Sequence, residues 1–244
     1  MSAFPKINAI WVYLAASPLL GLTITLFAYL VAQWIYARCR FNPLANPVLI
    51  AVAILVAVLL ISRTPYHTYF EGAQFVHFLL GPATVALALP LYRQLGHLRR
   101  LAVPLIVALL AGSMTAIVSA VAVASWLGAS KETIASLAPK SATTPIAMAV
   151  ATSIGGIPSL TAVLVISTGI FGAAFARVIL NTLRVNEPEA RGFALGVASH
   201  GIGTARAFQI SQQMGAFAGL GMGLNGVLTS LLVPVVVPML TRWL

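Results

Sequence analysis

The sequence is poor in charge, and this scarcity excludes the water-soluble classes of protein. Only 7% of the 244 residues are charged, whereas 60% are hydrophobic and the mean hydropathy is +0.99. A soluble domain carries roughly 25% charged residues. The composition therefore predicts a chain whose solvent is a lipid bilayer.

The chain has one cysteine and no aspartate. Cys39 is the single cysteine, so neither a disulfide framework nor a cysteine-based metal site is available. The chain has no aspartate, which excludes a Ser/His/Asp triad, and no GxxxxGK loop, which argues against ATP-driven transport by this chain alone. We predict that the protein is not an enzyme and holds no metal and no cofactor. Its only acids, all in predicted loops, are Glu71, Glu132, Glu187 and Glu189.

Long apolar runs make up most of the chain. A spanning helix needs about 20 apolar residues, whereas a transmembrane barrel shows segments of about 10 alternating residues. We predict an all-α polytopic membrane protein with roughly six to eight transmembrane segments. It forms a single integral membrane domain over 1–244, with N-terminal spans in 1–70 and a core in 71–244; the first run is a span and not a cleaved signal. The runs fall near 8–36, 46–62, 73–92, 101–127, 133–154, 157–180, 192–214 and 216–241.

The formal charge of +10 is explained by the positive-inside rule and not by nucleic-acid binding, because the basic residues sit in short loops. If the clusters at 93–100 and 177–191 are both cytoplasmic, an even number of crossings separates them. Three apolar runs lie between the clusters, so one of these runs must fail to cross. We predict that the stretch 139–156 enters from the outer face and returns. By the same reasoning 192–214 enters from the cytoplasmic side. Eight plain spans is the alternative.

Prolines and glycines inside the apolar runs predict two or three broken or re-entrant helices. Proline removes a backbone donor and clashes with the preceding turn, and glycine permits non-helical dihedrals. Pro82 is expected in the first turn of a helix. The predicted breaks are Gly81, Pro82, Pro145, Gly155, Gly156, Gly201 and Gly203. A weak internal repeat, with a possible inverted arrangement, is indicated by Thr84, Thr144 and Thr204, which are 60 residues apart (144 − 84 and 204 − 144).

Two further patterns point to contacts between helices. Gly215, Gly219 and Gly223 are spaced four apart, which suits close helix packing. Asn225 and Gln74 lie in apolar surroundings and can form hydrogen bonds across helices. Neither pattern implies chemistry.

Four ordered stretches together resemble the CidB/LrgB family of membrane proteins, over roughly Phe41 to the C-terminus. The residues that carry the resemblance are Asn46-Pro47 with Tyr66 to Tyr69, Leu80 to Tyr92, Pro139 to Met148 with Gly155-Gly156, and Arg191 to Gly196 with Ser199 to Ala207. One departure is Ala149, where many members carry a polar or acidic residue after the methionine.

The resemblance implies two descriptions of function and a bacterial cytoplasmic (inner) membrane location. Bacterial members are linked to control of murein hydrolase activity and autolysis, beside a small holin-like membrane protein of the LrgA/CidA type. The plant chloroplast relative, in which both parts are fused, is similar to a glycolate/glycerate carrier, and some bacterial pairs are similar to pyruvate carriers. A homo-oligomer is also expected.

A substrate site for a small carboxylate anion is predicted where hydroxyls and fixed positive charge fall on the broken segments. Arg206 can grip a carboxylate with two parallel hydrogen bonds, and His200 can carry a proton near neutral pH. The alternatives are that hydroxyls bond the preceding turn, that Lys140 snorkels to the interface, and that His200 caps a helix while Arg206 snorkels. The predicted substrate-binding residues are Thr84, Lys140, Ser141, Thr143, Thr144, Ser199, His200, Thr204 and Arg206.

Two function hypotheses follow. The first is a secondary carrier of small monocarboxylates of the glycolate, glycerate, lactate or pyruvate type. No acid is predicted inside the bundle. Any coupling cation must therefore be bound by backbone carbonyls and hydroxyls, or a proton must be carried by His200. The alternative is a non-catalytic membrane regulator of cell-wall hydrolases that works with a holin-like partner.

Overall fold

The computed structural model describes residues 18–39, 41–42, 45–86 and 88–242, and the regular structure within these ranges is entirely helical. Four of the helices are long and apolar enough to cross a membrane, over Leu19–Arg38, Ala102–Trp126, Pro158–Thr182 and Gln212–Leu240. Two shorter apolar helices, Pro47–Ser62 and Thr144–Ser153, accompany them. The prediction of an all-helical polytopic membrane protein is confirmed.

The chain divides into two compact units, Met1–Ala86 and Leu87–Leu244. The helices of the first unit are α1 (Pro18–Arg38), α2 (Pro47–Ser62) and α3 (Tyr66–Ala86). Those of the second unit are α4 (Ala88–Arg93), α5 (Leu95–Arg100), α6 (Ala102–Trp126), α7 (Lys131–Leu137), α8 (Thr144–Ser153), α9 (Pro158–Thr182), α10 (Pro188–Ile210) and α11 (Gln212–Leu240). The predicted division after residue 70 falls inside α3.

In the first unit, capping and one close helix contact set the helix positions. Asn46 caps α2, because its Oδ1 accepts a hydrogen bond from the Val48 amide at 2.8 Å. Gly21 of α1 lies against the backbone of α3: a Cβ there would be 2.8 Å from the Tyr69 carbonyl oxygen. The hydroxyls of Thr25 and Tyr69 are 2.7 Å apart and join the same two helices.

The predicted break at Gly81 and Pro82 is wrong, because α3 continues through both residues and Pro82 lies inside the helix and not in its first turn. A proline inside a helix removes one backbone hydrogen bond. Because α3 begins at Tyr66, it has several turns before Pro82 and can tolerate this loss. In membrane helices such prolines are tolerated, since neighbouring groups and local adjustment satisfy the freed carbonyl. Thr84 follows on the same helix, and its side chain lies outside the part that the structure describes.

In the second unit, the stretch between α6 and α9 forms a hairpin that does not cross. The helices α7 and α8 have 7 and 10 residues, which at 1.5 Å per residue is far less than the roughly 30 Å of a bilayer core. The chain returns to its starting side, since Ser136 Oγ of α7 accepts the Ile157 amide at 2.8 Å just before α9. Gly156 permits this approach, because a Cβ there would lie 2.9 Å from the Ser136 nitrogen.

The turns of this first hairpin correct one prediction and confirm others. Pro145 lies in the first turn of α8, where its missing N–H costs nothing, so it starts a helix and does not break one. Gly155 has φ +83° in the turn that follows α8, a conformation that suits glycine. The break predicted at Gly155 and Gly156 is confirmed.

The second hairpin is α10, which folds back on itself at His200. His200 has φ 42° and ψ −131°, values foreign to a helix. A Cβ at Gly203 would lie 2.6 Å from the Leu195 oxygen, whereas residues eight apart in a straight helix are separated by about 12 Å. Residues 201–210 therefore return along 188–199. The break is at His200; Gly201 is beside it, and Gly203 provides the close approach between the two arms.

The two hairpins enter from opposite ends of α9, since one precedes its first residue and the other follows its last. The orders α6–hairpin–α9 and α9–hairpin–α11 therefore form an inverted repeat. Both α6 and α9 have 25 residues, and α9 begins 56 residues after α6, at Pro158 against Ala102. This spacing differs from the 60-residue repeat predicted from the threonines, which lie at unlike positions: Thr84 inside α3, Thr144 at the start of α8 and Thr204 on the returning arm of α10.

Helix α11 packs closely along the first arm of α10, and glycines make the contact possible. A Cβ at Gly196 would collide with the backbone oxygen of Ala218, and one at Gly192 with that of Met214. The contacts run in the same direction along both segments, so the arm and α11 are parallel. By contrast, Gly223 of α11 has nothing within 4 Å of a built Cβ, so this glycine makes no close helix contact within the described part of the chain.

These two glycines provide a matched pair for a stability test. We expect Gly196→Ala to destabilise the protein by about 1–3 kcal/mol or more, because backbone must shift to admit the methyl group. Gly223→Ala is expected to be neutral or to stabilise by up to about 1 kcal/mol, since alanine favours the helix. Thermal unfolding in detergent, followed by size-exclusion chromatography, measures both. Equal melting temperatures for Gly196→Ala and wild type would contradict the packing described.

Candidate functional site

Asn225 joins the tips of the two hairpins at the middle of α11. Its side chain is buried, and its Nδ2 donates to the Ser141 carbonyl at 2.9 Å and to the Val197 carbonyl at 3.1 Å. Its Oδ1 accepts from Ser113 Oγ of α6 at 2.6 Å. One amide thus holds together the first tip, the second hairpin and the middle of a long helix.

A cavity of about 1050 Å³ lies beside this junction, between α6, α9 and α10. Each helix contributes one face, with residues spaced three or four apart, as for Leu105, Ala108, Gly112 and Ala116 of α6. The wall is mostly apolar; its larger side chains include Leu164, Phe171, Phe175, Ile179 and Phe193. Predominantly apolar walls with a few polar groups are usual in small-molecule sites.

Lys140 and Ser141 provide the polar groups where the first hairpin tip meets the cavity. Lys140 is half-buried in the turn between α7 and α8 and borders the cavity. Ser141 is buried and fixed through its carbonyl by Asn225. This part of the cavity therefore presents a positive charge on a fixed backbone.

Glu187, Glu189 and His97 border the same cavity near the start of α10. Glu189 is 9% exposed, and its Oε1 accepts from Gln213 Nε2 at 2.7 Å and lies 2.9 Å from His97 Nε2. The prediction that all four acids lie in loops is wrong for Glu71, Glu132 and Glu189, which lie in α3, in α7 and in the first turn of α10. An acid there is favoured by the partial positive charge of the helix N-terminus.

The match to a known family covers most of the chain, since the model of the LrgB-like family fits residues 25–239. The chain belongs to the LrgB-like family. It is 38% identical over 211 residues to the uncharacterized protein YwbG of Bacillus subtilis, which covers 86% of this chain and 93% of that protein. It is 31% identical over 222 residues to the antiholin-like protein LrgB of Bacillus mycoides, which covers 91% of this chain and 96% of that protein. No solved structure matches.

In this LrgB-like protein, the predicted site residues of the second hairpin do not border the cavity. His200 Nε2 is 2.9 Å from the Val165 carbonyl oxygen, and Thr204 Oγ1 donates to the His200 carbonyl at 2.8 Å. Both contacts fix the turn of the hairpin. Ser199 Oγ is buried without a hydrogen-bond partner in the described structure, and it fills the space that a side chain at Gly172, a cavity residue, would take.

The remaining predicted residues lie outside the cavity lining. Thr143 caps α8 without a side-chain hydrogen bond to the helix, and Thr144 is its first residue; both are half-buried. Arg206, on the returning arm of the second hairpin, donates from Nη1 to Gln209 Oε1 at 3.0 Å. Neither threonine nor Arg206 borders the cavity. Their part in binding an anion stays a prediction, and of the predicted residues Lys140 and Ser141 are the ones that the LrgB-like fold brings to the cavity.

The most informative residues that sequence reasoning passed over are Asn225, as the junction of the LrgB-like fold, and Glu189 with His97. Asn225 was expected only to bond across helices, which is confirmed. A signal for Glu189 is present in the sequence: a proline followed by an acid, as in Pro188-Glu189, is typical of a helix start.

Proposed function

We propose that this LrgB-like protein is a secondary carrier of small monocarboxylates of the glycolate, glycerate, lactate or pyruvate type. The observation that carries the proposal is the pair of opposed hairpins whose tips meet at Asn225, beside a cavity that reaches Lys140. Discontinuous helices that meet near the middle of the bilayer are the usual substrate sites of secondary transporters.

The chemistry at this junction suits an anion. Lys140 supplies a charge-assisted hydrogen bond to a carboxylate, which is roughly twice as strong as a neutral one. Ser141 and the nearby backbone polar groups offer partners for a hydroxyl or keto group on the second carbon of such an acid. The apolar wall excludes water around the pair and strengthens its attraction.

The setting proposed for this carrier is a bacterial cytoplasmic membrane, with the basic clusters at 93–100 and 177–191 facing the cytoplasm. A small membrane protein of the LrgA/CidA type and a homo-oligomeric assembly are proposed as its partners. No catalytic step is proposed, since transport needs binding and conformational change alone.

Uptake into proteoliposomes tests the proposal. The full chain, reconstituted alone and together with the small partner protein, is offered labelled glycolate, glycerate, lactate and pyruvate. We expect saturable uptake of at least one acid, inhibited by the others. The absence of saturable flux for all four acids, with and without the partner, would refute the carrier function.

The second candidate is a regulator of cell-wall hydrolases of the antiholin type. It is favoured by the name of the Bacillus mycoides relative, antiholin-like protein LrgB. Restoring a deletion strain with Lys140→Gln separates the two functions. If the variant corrects autolysis while transporting no acid, regulation is independent of transport, and the regulator is the better description.

A further inference from the structure

We infer that Glu189, paired with His97, is the proton-coupling site of the carrier. This inference rests on the proposed function and adds to it the coupling ion and the residues that hold it. It replaces the expectation that His200 carries the proton, because His200 does not border the cavity and its Nε2 lies 2.9 Å from the Val165 carbonyl oxygen.

The geometry of Glu189 is that of a carboxylate with one oxygen fixed and one available. Both donors, His97 Nε2 and Gln213 Nε2, reach Oε1, at 2.9 and 2.7 Å. Within the described part of the chain, no hydrogen bond reaches Oε2, and the residue borders the cavity. The side chain is only 11% exposed, whereas that of His97 is 49% exposed, so a proton can reach the pair from water through the imidazole.

The position of the pair also suits a coupling role, because it joins three separate elements. His97 is on α5, Glu189 is in the first turn of α10, and Gln213 is in the first turn of α11. The second hairpin is built from α10, so a change of charge at Glu189 acts on the segment that carries one of the two tips. Loss of the His97 contact would free the start of this hairpin from α5.

The other charged groups at this end of the cavity do not neutralise Glu189 directly. Glu187 borders the cavity and adds negative charge. Arg191 of α10 forms hydrogen bonds with other groups than Glu189: it donates to Asn181 Oδ1 at 2.9 Å and to the Val185 carbonyl at 3.3 Å. The other arginines of the clusters at 93–100 and 177–191 are exposed to solvent: Arg93, Arg99, Arg100, Arg177 and Arg184. The cavity wall of α6 bears no charged side chain.

Electrostatics then couples the proton to the substrate. A carboxylate that moves between Lys140 and this end of the cavity approaches Glu187 and Glu189, which repel it across a low-dielectric wall. One proton, taken from water by the Glu189–His97 pair, removes one of these negative charges and lowers the repulsion. By linkage, a bound anion raises the affinity for that proton by the same factor, so the two cross together. The proton returns to water on the other side, and no other bond changes.

The test separates coupling from transport in proteoliposomes that contain the full chain. Exchange of labelled lactate for unlabelled lactate at equal pH needs no net proton movement, whereas uptake driven by an inward pH gradient does. For wild type we expect roughly tenfold tighter apparent binding of lactate at pH 6 than at pH 8. Glu189→Gln is expected to exchange lactate but to lose both the response to the gradient and the pH dependence.

Glu132→Gln is the matched control, since this exposed acid of α7 does not border the cavity and should keep the wild-type response. Gradient-driven accumulation by Glu189→Gln would overturn the inference. If this variant does not assemble, His97→Gln, which must lose the gradient response in the same way, decides the matter. Failure of wild type to exchange any acid would instead refute the carrier function, and the inference with it. Exchange by wild type without a gradient response would refute the inference alone.

Discussion

Replacing Lys140 by glutamine is expected to abolish transport of small acids while leaving the protein folded. The substitution removes the positive charge at the junction of the hairpins and keeps a side chain of similar length. A hydrogen bond to a charged group is worth about 1.5–3 kcal/mol, so the affinity for a carboxylate should fall roughly ten- to a hundredfold. Binding of lactate to the purified protein and its uptake into proteoliposomes both report this loss.

Lys131 offers the matched control, because it is an exposed lysine at the start of α7 that does not border the cavity. Lys131→Gln should transport acids as wild type does. Lys140→Arg should keep the charge but bind less well, since the larger guanidinium changes the geometry of the contact. Unchanged lactate affinity in Lys140→Gln would show that the anion binds elsewhere, for example at Arg206.

The second large effect is expected at Asn225. Asn225→Leu leaves the Ser141 and Val197 carbonyls and the Ser113 hydroxyl without their buried partner. Hydrogen bonds between membrane helices average about 0.6 and reach about 1.7 kcal/mol each, so losing these contacts should destabilise the protein by roughly 2–4 kcal/mol. Because the hairpin tips then separate, transport should fail as well. Thermal unfolding in detergent and lactate uptake measure the two effects.

Ser230 lies on the same helix and donates only to the Val227 carbonyl one turn back, at 2.7 Å. Ser230→Ala should therefore melt and transport as wild type does. If Asn225→Leu melted at the same temperature as Ser230→Ala, the junction would not hold the tips together, and the description of the site would have to change.

The arrangement of hairpins followed from residues whose local effect is strong. Gly155 and Gly156, together with Pro145, marked a segment that could not cross, and Gly201 marked one within a residue of the actual turn at His200. The entry of the two hairpins from opposite faces is predicted by counting crossings between two basic clusters. This count depends on the positions of charged residues and not on helix propensity. Glycine and proline act on their own neighbours and charges can be counted along the chain, so both signals can be recognised in a single sequence.

Other features depend on tertiary contacts that a single sequence does not contain. Pro82 was assigned to a helix start, although α3 is long enough before it to absorb the loss of one hydrogen bond. Glu189 was assigned to a loop, although His97 and Gln213, both distant in sequence, stabilise it at the cavity. Arg206 has the chemistry of an anion anchor, but the fold of the second hairpin takes it away from the cavity.

The most direct test of the central claim is the reactivity of a cysteine placed in the cavity wall near the hairpin junction. Ala116 borders the cavity one turn beyond Ser113, and Cys39, the native cysteine, is exposed and can be replaced by serine. In a Cys39→Ser background, Ala116→Cys should react with a membrane-impermeant thiol reagent, and saturating lactate should slow the reaction. A thiol that never reacts, or that reacts equally fast with and without lactate, would contradict a solvent-accessible anion site at this junction.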